Sequence, residues 1–201
     1  MSQPRSLRIG CFVEDDIHRA VVEGLLDRWC PAAELVSLMF RGNKAKCLRP
    51  DVRLALSVCF NNDLCDYVVW VTDADDRGWH RKRNEELDRC PDGWKNYILI
   101  GVPDRNVECW LALNRSAIAE LCNCEQDKIP RDDPSGFIQR RLHTGERDDE
   151  GRQGREAIKE FVSHVGLKQW LDDHSFDSFY TDVRAKANEH GCSIPDEYEQ
   201  Q

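Results

Sequence analysis

The sequence predicts an α/β fold: a mostly parallel sheet of about four strands flanked by helices, with a helical appendage towards the C-terminal end. Two observations predict it. In the first 113 residues a short apolar run followed by an amphipathic stretch occurs four times. One of these runs, Tyr67–Thr72 (YVVWVT), is almost continuously apolar, as in a strand covered on both faces. The stretches between the runs are also long enough for the crossover helices that parallel neighbours require.

Leu7–Val13 (LRIGCFV) is the first predicted strand. Asp15 or Asp16 then caps a helix, because a carboxylate accepts the free N–H groups of a first turn. Ile17, Val21 and Leu25 recur at helical spacing with Val22, Leu26 and Trp29 beside them, and Cys30-Pro31 ends the helix. Glu34–Phe40 (ELVSLMF) is the second strand. A polar loop leads to a helix at about 51–61, carrying Val52, Leu54, Ala55, Leu56 and Val58. A charged helix at about 81–89 follows the third strand. Tyr97–Val102 (YILIGV) is the fourth strand, and 106–113 the helix after it. Residues 122–153, rich in charge with Pro130, Pro134, Gly145, Gly151 and Gly154, read as a long loop or mobile lid. Amphipathic stretches at 156–165 and 176–187 complete the chain, the second with Phe176, Phe179, Tyr180 and Val183 on one face as core or subunit interface. Residues 1–121 thus form the α/β unit, and 122–201 a lid loop and helical appendage of the same domain.

The 201 residues carry 28 basic and 37 acidic side chains, a net charge of −9. The first hundred hold 15 basic and 16 acidic residues, the remainder 13 and 21. A wholly basic mode of nucleic-acid binding is excluded, but a locally basic face in the first half is not. No run reaches the roughly 20 apolar residues of a membrane span. MSQPRSLRIG has no apolar core of the signal-peptide kind. A cytoplasmic protein is therefore expected, with most of its ten cysteines reduced, buried and inert.

In a parallel sheet, functional groups gather where strands end. Glu14 follows the first strand, Asp73, Asp75 and Asp76 the third, and Asp104 the fourth, while Glu108 opens the next helix. In extended backbone Asp73 and Asp75 point the same way. Taken singly, such acids are most often helix caps and solvated turn residues. Three or four carboxylates at one point repel one another unless a cation neutralises them, and an oxygen-rich set suits Mg²⁺ or Mn²⁺.

At FVEDD (12–16), VVWVTDADD (68–76) and VPDRNVECWLAL (102–113) the chain resembles the Toprim family, the metal-binding domain shared by topoisomerases, primases and OLD-type nucleases. It is most similar to small bacterial Toprim-like proteins often encoded beside ATPases in phage-defence loci. Those carry a similar D-x-D after an apolar strand and a later Glu-x-Trp on a helix, here Glu108 and Trp110. The resemblance covers roughly residues 7–113. It implies a catalytic set of Glu14, Asp73, Asp75 and Glu108. Within that set Glu14 would be a metal ligand or general acid/base, and Asp73 and Asp75 metal ligands. It also implies Mg²⁺ or Mn²⁺ as cofactor, hydrolysis of DNA or RNA, and a role as effector subunit beside an ATPase partner in antiviral defence. Asp15 stands where the family commonly has Gly, and no lysine clearly matches the one that OLD-type nucleases hold near the scissile phosphate. Two divalent ions about 4 Å apart would activate water and stabilise the leaving oxygen.

Arg41, Lys44, Lys46, Arg49 and Arg53 leave the same sheet edge, and Arg77, Arg81, Lys82 and Arg83 follow the D-x-D. They would track a phosphate backbone, with Trp79 stacking on an unpaired base, or else form a solvated surface. Cys122-x-Cys124, with Cys109 and His143, holds enough ligands for structural zinc, but the spacing matches no recognised zinc pattern. His18 reads as a surface or packing residue and Asp104 as the start of a helix. Two rival functions remain: a catalytically inactive Toprim-like binding or regulatory subunit, and a phosphotransfer receiver-like module. The receiver needs a lysine after a fifth strand that the sequence does not show. Oligomeric state is left open.

Overall fold

The computed structural model describes residues 6–37, 49–146, 148–192 and 194. Its elements run β1 (Arg8–Val13), α1 (Asp16–Trp29), β2 (Glu34–Ser37), α2 (Arg49–Asn61), β3 (Tyr67–Val71), α3 (Trp79–Arg89) and β4 (Ile98–Gly101). Six further helices follow: α4 (Val107–Leu111), α5 (Arg115–Leu121), α6 (Ser135–Arg141), α7 (Asp149–His164), α8 (Lys168–Leu171) and α9 (His174–Glu189). Among the described residues the sheet has four strands in the order β2-β1-β3-β4, all parallel, as the alternation of apolar runs and helices predicts.

Side chains alternate across a strand, and here the alternation feeds two cores. Ile9, Cys11 and Val13 of β1, with Tyr67, Val69 and Val71 of β3, enter the larger one, against α1 and the later helices. Phe12 of β1, Val68 and Trp70 of β3, and Ile98 and Ile100 of β4 enter a smaller one with α2 and α3. Val13 pairs with Val71, and Val71 with Gly101, so three strands end level at one edge. No helix among the described residues is long and apolar enough to cross a membrane.

The cap of α1 is Asp15, whose carboxylate accepts the backbone N–H groups of Ile17 and His18 at 3.0 and 3.1 Å. Val21 and Leu25 of α1 share the larger core with Ile158 and Val162 of α7. The two helices meet at Gly24, where an added Cβ would lie 2.5 Å from the Lys159 carbonyl oxygen.

The expected long loop over 122–153 is instead partly helical. It contains α6 and the start of α7, and buries Ile129, Ile138 and Leu142. Its few apolar residues are scattered among charges, which hides their inward face from a periodicity search. Arginines supply much of the order. Arg115 donates to the carbonyls of Gln126 and Ile129, and Arg155 to those of Thr144 and Glu146.

The helix expected over 106–113 ends at Leu111, and Asn114 caps α5 by accepting the Ala117 N–H. The second strand, expected to Phe40, runs to Ser37, and 38–40 lie outside the described residues. Phe176, Phe179, Tyr180 and Val183 are core residues. Among the described residues seven cysteines are free thiols, while Cys30 and Cys192 form a disulfide joining the end of α1 to the end of α9.

Candidate metal centre

The level edge assembles the site from both faces of the sheet. Thr72 extends the alternation of Val68 and Trp70, and its hydroxyl donates to Oε1 of Glu14, which follows β1. Asp73 extends the series Tyr67, Val69, Val71 towards α1. There its Oδ1 meets Nε2 of His18 at 2.8 Å. The same oxygen accepts the backbone N–H of Val107, at the start of α4, at 3.0 Å. His18 Nδ1 lies 2.7 Å from Oδ1 of Asp15. Glu14, His18 and Asp73 form a group that could hold a metal ion, with one potential ligand atom from each within 4.8 Å of the others. The contacts of Thr72, His18 and Val107 fall on one oxygen of each carboxylate, so the second oxygen of each is what a cation would take.

Burial raises the Glu14 carboxyl above its ordinary range, against the Thr72 hydrogen bond and the charges of His18 and Lys82. His18 is 1% exposed, and burial alone would lower its pKa. The hydrogen bonds to Asp15 and Asp73 overcome that and push it up to about 10, so the ring is an imidazolium at neutral pH. Glu108 is also raised by burial, partly offset by a hydrogen bond from Gln139. Gln139 Nε2 and Ser135 Oγ, both on α6, lie 2.6 and 3.2 Å from Glu108 Oε1. Charges on Asp73 and His18 reach Glu108, which puts the acid on the flank of the centre.

Of the four predicted catalytic acids, Glu14 and Asp73 come together, and Glu108 is buried close by. Asp75 does not join them. The paired strand ends at Val71, and by Asp75 the backbone has turned to φ 53°, so the same-face rule for i and i+2 does not carry from Asp73 to Asp75; the Asp75 side chain is exposed. Asp76 and Asp104 are exposed as well.

The basic residues after the D-x-D are largely paired within the chain. Arg77 and Arg81 bind Glu85, Arg83 binds Asp182, and Lys82 and Arg89 bind Glu86. Trp79 stacks on His80 with centroids 3.5 Å apart, so one ring face is already covered. Arg53 is exposed on α2, whereas Arg41, Lys44, Lys46 and the side chain of Arg49 lie outside the described residues. Trp110 points away from the centre, donating to Ser175 Oγ at 2.8 Å and packing on Phe176 and Phe179. Neither potential metal-binding group among the described residues contains a cysteine; the second is His143, Glu146 and Glu150, all exposed.

His18, Thr72 and Gln139 were not legible as site residues, and Lys82 was legible only as a phosphate contact. Thr72 stands beside Asp73 in the sequence and His18 four residues after Glu14, but nothing local says that either reaches the other strand's acid. Lys82 is buried on α3, bonded to Glu86 at 3.1 Å, with its charge felt by Glu14. No protein-family model, no curated protein and no solved structure matches the chain.

Proposed function

We propose that the chain is a divalent-metal-dependent nuclease of the Toprim type, hydrolysing phosphodiesters in DNA or RNA. The observation that carries this reading is the Glu14–His18–Asp73 group at the carboxyl edge of a parallel sheet, where two carboxylates each keep one oxygen for a cation. These donors fit Mg²⁺ or Mn²⁺, which favour carboxylate oxygen. A divalent ion held by Glu14 and Asp73 would supply charge neutralisation at the phosphate and a more acidic water.

The chain's own groups do the rest. Thr72 orients Glu14, whose carboxyl burial raises above its ordinary range, and a Glu14 not fully occupied by the ion would accept a proton from water. Lys82 adds positive charge beside Glu14. Buried Glu108, held by α6, is a second acid for proton transfer. A cytoplasmic location, and service as the effector of an ATPase-linked antiviral complex, belong to the same proposal and rest on the resemblance of residues 7–113 to the small Toprim-like proteins.

One observation favours an inactive binding or regulatory subunit instead. His18 already neutralises part of the acidic cluster from within the chain, and the α3 cations are matched by acids. The deciding experiment is a nuclease assay with Mg²⁺ or Mn²⁺ on plasmid and total RNA, with and without the product of any neighbouring ATPase gene. Cleavage that is lost in folded Glu14→Gln and Asp73→Asn proteins supports the enzyme. Equal cleavage by the variants refutes it, and absence of cleavage under every condition leaves the binding subunit.

A further inference from the structure

The acidic cluster contains a histidine bridge made by the chain itself. The His18 ring lies between two carboxylates, with Nδ1 2.7 Å from Asp15 Oδ1 and Nε2 2.8 Å from Asp73 Oδ1. Both acids are anchored. Asp15 Oδ1 also accepts two N–H groups in the first turn of α1, and Asp73 Oδ1 accepts the Val107 N–H at the head of α4. Neither carboxylate can therefore swing away without losing backbone hydrogen bonds. For the ring to ligate a metal, a nitrogen would have to present its lone pair, and both nitrogens are committed to carboxylate oxygens.

We infer that His18 is a positioning residue and not a ligand. It holds Asp73 so that only Oδ2 is offered to a cation, and it fills the space between Asp15 and Asp73 that a second divalent ion would need. The centre then takes a single ion, on Glu14 and Asp73. This deepens the nuclease reading and rests on it, replacing the two-ion arrangement expected from the sequence with one metal and one imidazole.

The test uses the full chain and Mn²⁺ alone. Calorimetric titration of the wild type should give one ion per chain. Pulsed electron paramagnetic resonance of that complex should show no coupling from a directly bound imidazole nitrogen. Removing the ring in His18→Ala should raise the stoichiometry to two, with folding checked by circular dichroism. Nitrogen coupling in the wild type, or two ions bound to it, overturns the assignment, and neither result depends on the variant folding. A folded His18→Ala protein that still binds one ion overturns it too. A wild type that binds no Mn²⁺ removes the metal reading, and this assignment with it; bound Mn²⁺ with nitrogen coupling overturns the assignment alone.

Discussion

Raising the pH should remove a defined part of the protein's stability through His18. The imidazole is raised from its ordinary 6.5 to about 10 because burial, which opposes the charge, is outweighed by hydrogen bonds to Asp15 and Asp73. A group raised in the folded state stabilises fully below its unfolded pKa, and that contribution is lost as pH rises through the folded value. Each pKa unit is worth about 1.4 kcal/mol, so between about pH 6.5 and 9.5 the loss is on the order of 3–4 kcal/mol. At a urea slope of about 2 kcal/mol/M the unfolding midpoint falls by about 1.5–2 M. The assay is urea unfolding across that range in EDTA, wild type beside His18→Gln. Buried thiols titrate upward too, with Cys11 and Cys90 each pushed to about 12 by burial. Those contributions are shared by both proteins and cancel in the difference. Stability curves that run parallel to within about 0.5 kcal/mol would refute the bridged imidazolium.

Three further perturbations test other parts of the molecule. Cys192→Ser opens a disulfide that spans 162 residues, and should cost about 2–5 kcal/mol, seen as a lower Tm that reductant reproduces in the wild type. Gly24→Ala forces a methyl against the Lys159 carbonyl oxygen and should destabilise by about 1–3 kcal/mol in urea, through the α1–α7 contact. Gln139→Leu removes the shortest hydrogen bond to buried Glu108 and should cost about 1–3 kcal/mol at neutral pH. Because burial already raises the Glu108 carboxyl, that penalty should shrink in acid as the group protonates; a penalty that stays constant as the pH is lowered contradicts the assignment.

The sheet was legible because its determinants are local. Tyr67–Val71 is apolar at every position since both faces are covered, and Asp15 sits where a cap must sit. The stretch expected as a loop, residues 122–153, was not legible, for a related reason. Its order comes from arginine side chains reaching carbonyls 9–14 residues away and from single apolar residues such as Ile129 and Ile138, neither of which makes a periodic signal.

The site divides along the same line. Period two carries Glu14, Thr72 and Asp73 to the correct faces as long as the backbone stays extended, and it fails at Asp75 once φ turns positive. The role of His18 depends on a partner 55 residues away, brought near only because β1 and β3 pair in the register Val13 to Val71. An imidazole also has no fixed charge to read from composition. With His counted as neutral, the first hundred residues sum to almost zero. The charge that His18 carries between Asp15 and Asp73 is left out of such a sum. The geometry at this edge therefore turns on a residue whose partners are set by the fold: His18 reaches Asp73 only because β1 and β3 pair.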